Sequence, residues 1–137
     1  MIRCKYNSHK LKLYDHSYNA SPISMKQTIN IFDSLKEKNI VYLIGDMNEL
    51  GQKTSYYHSN LIKSLNKKKF DKCLFIGQHF KKFENKIRNN KISFFKDINQ
   101  IIENLDEIIE SNYTIFAKGS NSINIRRLIT HLKQENI

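Results

Sequence analysis

Apolar runs and amphipathic stretches alternate along the chain, and this pattern predicts strands and helices in turn. Short apolar or alternating runs predict strands, and apolar residues repeated at helical spacing predict the helices between them. The predicted strands are residues 10–15, 40–44, 73–77, 92–95 and 113–117. The predicted helices are residues 22–35, 53–66, 79–88, 98–109 and 123–132. The alternation predicts an α/β fold with a mostly parallel sheet and helices on both faces.

Three polar, turn-rich segments each follow a predicted strand. They are Asp15–Pro22, Gly45–Gly51 and Lys118–Ser120. Because the loops that leave parallel strands at their carboxyl ends share one edge of the sheet, ligands bind in the crevice there. We therefore predict that the three segments meet and form one composite site.

The first segment concentrates a carboxylate, an imidazole, a hydroxyl, a phenol and an amide within five residues. These are Asp15, His16, Ser17, Tyr18 and Asn19. Such groups suit hydrogen bonding to a sugar or a nucleotide, but Asp, Ser and Asn also serve in ordinary turns and helix caps. Both interpretations stay open on this segment alone. The helix after it has a clear start, because Ser21 can cap it and Pro22 suits its first position.

The other two segments are less specific when each is taken alone. Asp46 and Glu49 stand beside glycines that can adopt positive φ, which equally fits a tight turn. Lys118, Gly119 and Ser120 resemble half of a phosphate grip, with a cation, a close backbone approach and a hydroxyl at a helix start. The full P-loop pattern is missing.

Composition limits the class of protein. A chain of 137 residues can bury the core of one domain, and no linker or repeat divides residues 1–137. Cys4 and Cys73 fit no metal-binding spacing, which favours a reducing compartment and predicts no metal site. No run is long and apolar enough for a membrane span or a signal peptide, so a cytoplasmic protein without a membrane partner is expected.

The net charge of +10 raises the possibility of nucleic-acid binding. The basic residues are nearly all lysines, whereas phosphate and base recognition favours the arginine fork. We therefore interpret Lys67–Lys69 and Lys81–Lys82 as solvated faces. A basic rim that attracts a phosphate-bearing ligand stays open.

Together, the three segments resemble one known family. Ser17-Tyr18-Asn19-Ala20-Ser21-Pro22-Ile23-Ser24-Met25 is similar to the Ser-Tyr-Asn-Ala-Asn-Pro-x-Ser-Met segment of the C-terminal domain of MurF-type Mur ligases. Gly45–Gly51 resembles that family's Gly-Asp-Met-x-Glu-Leu-Gly, with His58 where the family has a histidine. Lys118–Ser122 resembles its Lys-Gly-Ser-x-Ser. Order and spacing agree over roughly residues 10–133.

The resemblance implies a Rossmann-like domain of an ATP-dependent amide ligase of peptidoglycan synthesis. Such ligases add D-alanyl-D-alanine to UDP-N-acetylmuramoyl tripeptide, with ATP and Mg²⁺ as cofactors of the complete enzyme. Their N-terminal UDP-binding and central ATPase domains are absent from these 137 residues and would be the partners of this domain. We therefore expect the domain alone to bind no cofactor and to be inactive.

The resemblance also implies roles for single residues. The first loop, Asn19 in particular, would face the nucleotide, and Lys118 and Ser120 would face anionic groups at a domain interface. Asp46, Glu49 and His58 would either take part in the site or order the second loop and its helix. No residue is assigned as catalytic. The other histidines, His9, His79 and His131, are interpreted as surface residues.

Two positions depart from the family pattern. His16 stands where the family usually has an aspartate that binds the ATP ribose, and Ser21 replaces an asparagine. Asp15 cannot simply substitute, since neighbouring strand residues point to opposite faces. Two alternative hypotheses follow: a non-catalytic ligand-binding or degenerate remnant, and a basic nucleic-acid-binding α/β module, which the composition makes the weaker of the two.

Overall fold

The computed structural model describes residues 1–17 and 20–134 of the protein, and these form one six-stranded sheet with helices on both faces. The strands are β1 (Ile2–Tyr6), β2 (His9–Asp15), β3 (Ile40–Gly45), β4 (Lys72–Ile76), β5 (Ile92–Phe95) and β6 (Thr114–Lys118). The helices are α1 (Pro22–Ser34), α2 (Thr54–Asn66), α3 (Gln78–Lys81), α4 (Ile98–Glu103), α5 (Leu105–Ile108) and α6 (Ile125–Gln134).

The strand order is β1-β2-β6-β3-β4-β5. Only β1 runs antiparallel to its neighbour, and the other four pairings are parallel. The last strand in the chain, β6, is thus inserted between β2 and β3. The predicted fold class, a mostly parallel sheet with helices on both faces, is confirmed.

Each face of the sheet carries its own hydrophobic core. Side chains of α1, α2 and α3 cover one face, where Phe32 stacks on Phe116 of β6 with ring centroids 4.3 Å apart. Side chains of α4, α5 and α6 cover the other face, against Ile115 and Ala117 of the same strand. This alternation along β6 follows from the two-residue period of a strand, and it makes β6 a fully buried central strand.

The start of α1 confirms the predicted cap. The Ser21 hydroxyl accepts a hydrogen bond from the Ser24 amide at 3.1 Å, and the Ser24 hydroxyl accepts one from the Ser21 amide at 2.9 Å. Pro22 occupies the first turn, where its missing N–H leaves no intrahelical bond unmade. This reciprocal cap holds the chain at a fixed exit from the first loop.

Four predicted elements need correction. Strand β1 was not predicted, although its inward Cys4 and outward Arg3 and Lys5 alternate as a strand requires. The predicted helix at 79–88 is only the single turn α3 followed by a 3₁₀ turn. The predicted helix at 98–109 breaks at Asn104, whose side-chain amide donates a hydrogen bond to the Gln100 carbonyl at 2.7 Å. The last helix, predicted from 123, begins only at Ile125, after a 3₁₀ turn.

Within the residues that the structure describes, no helix combines the length and apolarity needed to cross a membrane.

Candidate functional site

The three predicted loops lie at one edge of the sheet, where the parallel strands end. Asp15 pairs with Ala117, and Ile44 pairs with Lys118, so β2, β6 and β3 end side by side. After β3 the chain continues into α2 on one face, and after β6 it continues into α6 on the other face. Such a switch between faces opens a crevice at the carboxyl ends of the strands. The predicted convergence of the loops is therefore observed.

The second and third loops are interlocked. The Ser120 amide donates to the Asp46 carbonyl at 3.1 Å. A Cβ on Gly119 would lie 2.9 Å from the Cα of Gly45, which is too close for any side chain. The Asn48 side-chain amide donates to the Ser122 hydroxyl at 2.6 Å, and that hydroxyl lies 3.0 Å from the Ser120 hydroxyl. The two loops therefore form one continuous wall.

This contact changes the interpretation of the Lys-Gly-Ser segment. The close approach that Gly119 permits is to the backbone of Gly45 in the neighbouring loop. Ser120 precedes a 3₁₀ turn and its side chain caps no helix, since α6 begins five residues later. The prediction that its hydroxyl opens a helix is therefore wrong.

Asp46 is buried and holds the start of α3. Its two carboxylate oxygens accept hydrogen bonds from the backbone amides of His79 at 3.0 Å and Phe80 at 3.1 Å. Gly77 approaches this carboxylate with φ +120°, and a Cβ there would lie 2.2 Å from the carboxylate carbon. Asp46 therefore connects the end of β3 to the loop after β4, and its oxygens are engaged by the protein itself.

His58 of α2 completes this structural cluster. Its Nε2 accepts a hydrogen bond from the Met47 amide at 3.0 Å, and its Nδ1 donates to the Thr54 carbonyl at 2.7 Å. Both contacts require the neutral ring with the proton on Nδ1. Burial lowers the pKa of His58, which agrees with a neutral ring although Asp46 lies 3.8 Å away.

The remaining predicted residues of this loop and the histidines outside the motifs differ in exposure. Glu49 is exposed and has a left-handed backbone with φ +62°. His79 is half-buried with its ring centroid 5.1 Å from that of His58, so the surface interpretation is wrong for His79. His9 and His131 are half-buried as well, so neither is the exposed surface residue that was predicted.

Lys118 is the exception among the buried polar residues at this edge. It is only 6% exposed, and it lies on the same face of β6 as Phe116, towards α1 and α2. Within the described residues, no carboxylate lies within ion-pair distance of its ammonium group. Burial accordingly lowers its pKa. A buried cation without a protein anion is suited to an anionic ligand.

The first loop leaves β2 directly beside Lys118. The His16 amide donates to the Ala117 carbonyl at 2.8 Å. The Asp15 carboxylate accepts hydrogen bonds from both the amide and the hydroxyl of Ser17, so it is held within its own loop. The exposed His16 ring packs edge-on against Phe32, with centroids 5.3 Å apart. Tyr18 and Asn19, which were predicted to face a nucleotide, lie outside the described residues.

Sequence reasoning overlooked three residues of this edge. Asn48 and Ser122 join the second and third loops, and Gly77 makes room for the Asp46 carboxylate. The first two stand inside the motifs, so the sequence indicated where they lie. Their hydrogen bond joins residues 74 positions apart, and no local pattern predicts it.

The sheet order and the common edge of the three loops define a Rossmann-like α/β domain. The family described as "Mur ligase, glutamate ligase domain" matches residues 2–121, and the chain belongs to this family.

Two curated relatives carry the name UDP-N-acetylmuramoyl-tripeptide–D-alanyl-D-alanine ligase. The protein from Rickettsia prowazekii is 28% identical over 116 residues, covering 83% of this chain and 26% of the relative. The protein from Buchnera aphidicola is 28% identical over 125 residues, covering 90% of this chain and 27% of the relative. The chain thus spans about a quarter of the length of these relatives.

Solved structures show the same fold. A crystal structure of MurF from Acinetobacter baumannii matches with a TM-score of 0.77 at 22% identity, over 97% of this chain and 29% of that one. MurF from Thermotoga maritima in complex with ADP matches with a TM-score of 0.70 at 21% identity, over 97% of this chain and 30% of that one. At these identities the likeness establishes the fold.

Proposed function

We propose that this chain serves as the C-terminal domain of an ATP-dependent amide ligase that adds D-alanyl-D-alanine to UDP-N-acetylmuramoyl tripeptide in cytoplasmic peptidoglycan synthesis. The observation that carries the proposal is Lys118, a buried residue at the end of the central strand, whose ammonium group has no ion pair within the described residues. The family membership and the names of the relatives supply the reaction.

In this proposal Lys118 attracts a negatively charged group of a substrate into the crevice. Burial strengthens the attraction, because a charge removed from water is less screened. Gly119 and Gly45 hold the second and third loops together behind it, and the hydroxyls of Ser120 and Ser122 are close enough to add polar contacts. The contacts between the loops form the wall without a ligand, which would reduce the ordering that binding requires.

Asp46 and His58 have a structural role in this proposal. Their hydrogen-bonding groups are engaged by backbone amides and a carbonyl, so they order the second loop and the start of α3. Glu49 contributes the turn conformation. These residues act on the substrate only through the shape of the wall.

The bound ATP with Mg²⁺ would activate the peptide carboxylate as an acyl phosphate that the dipeptide amine attacks. Lys118 has the charge and burial that fit a phosphate or carboxylate. The first loop fits the nucleotide less well, because the Asp15 carboxylate is engaged by Ser17 and would have to release it to bind a ribose. The first loop would therefore contact the nucleotide through Tyr18, Asn19 and backbone groups.

The partners would be the UDP-binding and ATPase domains of the ligase, in the same chain or in another. The described residues offer no phosphate-binding loop of the P-loop kind. We therefore expect the isolated chain neither to hydrolyse ATP nor to form an amide. Robust turnover by the purified chain that is abolished by Lys118→Ala would contradict this expectation.

A chimera tests the proposal directly. The 116-residue matching segment of the Rickettsia prowazekii ligase is replaced by this chain, and phosphate release that depends on D-alanyl-D-alanine is measured. We expect an active chimera, in which Lys118→Ala lowers kcat/KM on the order of a hundredfold, as loss of an electrostatic contact to a reacting substrate does. Lys91→Ala, a change at an exposed lysine on the far side of the sheet, should leave kcat/KM unchanged within twofold.

The same chimera separates a working domain from a degenerate one. If the chimera folds by circular dichroism but forms no amide, and the double change His16→Asp with Ser21→Asn restores ligation, this chain is a remnant that has lost its nucleotide contact. If Lys118→Ala and Lys91→Ala reduce activity equally, the assignment of Lys118 to the substrate is wrong.

A further inference from the structure

The amino edge of the sheet, opposite the loop edge, carries a concave surface of about 680 Å³ that the proposed ligase function does not use. It lies between the β1–β2 hairpin, the connection from α1 to β3 and the residues just before β6. We call it the basic basin because its charged residues are mostly cations. Its basic residues are Arg3, Lys5, Lys10, Lys12, Lys36 and Lys38.

The hairpin places four of these cations in like-charge pairs. Arg3 pairs with Lys12, and Lys5 pairs with Lys10, directly across the antiparallel ladder. Paired residues of a ladder share a face, with side chains about 5 Å apart, and like charges in this arrangement destabilise the sheet. The opposite face of the hairpin holds it in place, because Cys4, Leu11 and Leu13 are buried there in the core.

The one acidic residue of the basin is already engaged. The Glu37 carboxylate accepts hydrogen bonds from the Tyr14 hydroxyl at 2.7 Å and from the Lys12 ammonium at 3.1 Å. The hydrogen bond from Tyr14, aided by Lys12 and Arg3, lowers the pKa of Glu37, so it is ionised at neutral pH. Among the described residues no carboxylate forms an ion pair with the other five cations of the basin.

We propose that the basic basin binds a compact polyanion with several phosphate groups, either a free oligophosphate or the phosphate chain of a nucleotide. Five uncompensated cations around one concavity concentrate a positive potential there. The volume is in the range of small-molecule sites, which is about 300–1,000 Å³. A ligand with three or more closely spaced charges would relieve the repulsion between the paired cations.

The shape and the residue types favour a small ligand over a macromolecule. Single-stranded nucleic acids follow extended grooves with aromatic side chains on which the bases stack, and arginines are the preferred phosphate forks. The basin is instead a single local concavity with one arginine, Arg3, and five lysines. Lysine ammonium groups bind phosphate as point charges, which a flexible oligophosphate can satisfy.

The basin is independent of the loop edge. Lys10 and Asp15 are at opposite ends of β2, about 17 Å apart at the rise of an extended strand. A ligand in the basin therefore does not contact Lys118, and the inference does not depend on the proposed ligase function.

Titration of the chain with tripolyphosphate and with ATP, followed by backbone amide chemical shifts, tests the proposal. We expect saturable shifts at Arg3, Lys5, Lys10 and Lys36 with both probes, which weaken as salt is raised. Lys5→Glu with Lys10→Glu should weaken binding on the order of tenfold or more, because it turns one of the two cation pairs of the hairpin into a pair of anions and so lowers the positive potential of the basin.

The matched control is Lys63→Glu with Lys91→Glu, which changes the net charge equally at exposed lysines elsewhere. It should weaken binding less than twofold.

The two probes distinguish the two kinds of ligand. If tripolyphosphate and ATP bind equally well, the basin recognises only phosphate groups; if ATP binds more tightly with shifts in the basin, the ligand is a nucleotide. Equal weakening in both double variants, shifts spread over the surface, or no saturable binding would overturn the proposal. So would tighter binding of a single-stranded oligonucleotide or of anionic vesicles, since each would indicate a macromolecular partner. Circular dichroism checks the fold, and Lys36→Gln with Lys38→Gln repeats the test outside the strands.

Discussion

Asp46 and Lys118 are both buried charged residues at the ends of neighbouring parallel strands, yet the protein treats them differently. The Asp46 carboxylate receives two backbone amide donors and is part of the scaffold. The Lys118 ammonium has no ion pair within the described residues. Asp46 and Lys118 are therefore similar in burial and differ in their partners. A buried charge that is hydrogen-bonded by the protein stabilises the fold, and a buried charge without a protein partner is available to a ligand.

The largest effect is expected where the scaffold around Asp46 leaves no space. Gly77→Ala would place a Cβ 2.2 Å from the Asp46 carboxylate carbon at φ +120°, so we expect a loss of about 4 kcal/mol in the free energy of unfolding. Gly51→Ala is the control, since Gly51 has φ +59° but nothing within 4 Å, and should cost only about 1 kcal/mol. Urea unfolding measures both. Equal losses would show that backbone strain, and not the nearby carboxylate, explains why position 77 requires glycine.

Removal of the Asp46 charge should cost stability, whereas removal of the Lys118 charge should not. Asp46→Ala leaves the buried amides of His79 and Phe80 without acceptors, so we expect a loss of about 3 kcal/mol. Lys118→Met removes a buried cation that lacks a protein partner and should leave stability unchanged or raise it by about 1 kcal/mol. The pair is compared by urea unfolding at one pH. A large loss in Lys118→Met would mean that the fold itself satisfies this ammonium.

A smaller effect is expected from His58, which should make the free energy of unfolding fall at low pH. Burial lowers its pKa in the folded state below the ordinary 6.5, so the unfolded chain binds a proton more readily. The stability that the neutral His58 ring gives the folded protein is therefore fully present above about pH 6.5, and it is lost as the pH falls below that value. Denaturant midpoints between pH 7.5 and 5 measure this slope. His58→Gln, which keeps an acceptor without titrating, should flatten it; an unchanged slope would assign the pH dependence to other groups.

The smallest effect concerns the contact between the two loops. Ser122→Ala removes the acceptor of the Asn48 amide at an exposed position, and we expect a loss of about 0.5 kcal/mol. Ser55→Ala, an exposed serine in α2, serves as the control and should change stability by less than that. Amide hydrogen exchange at Gly119 and Ser120 gives a second measurement, because loosening of the loop contact should speed exchange there.

Much of the fold could be predicted from the local pattern of apolar and polar residues, and each incorrectly predicted element can be traced to particular residues. The run from Ile40 to Ile44 is apolar throughout because β3 is covered on both faces, and Ser21 with Pro22 marks the start of α1. The break at Asn104 was missed because the apolar spacing continues through it, while one side-chain amide competes for the Gln100 carbonyl. Strand β1 was missed because only its Ile2, Cys4 and Tyr6 face inward.

The sequence by itself determined which polar segments follow the strand ends and lie at one edge of the sheet, because motif residues and strand ends are adjacent in the chain. It also determined that the sheet is mostly parallel, since strands and helices alternate. Only the tertiary structure decided which charges are free to act: the insertion of β6 between β2 and β3 sets Lys118 at the centre, while the amides of α3 engage Asp46. The physical reason is that a hydrogen bond or ion pair between distant segments depends on strand order and loop geometry, which no local pattern encodes.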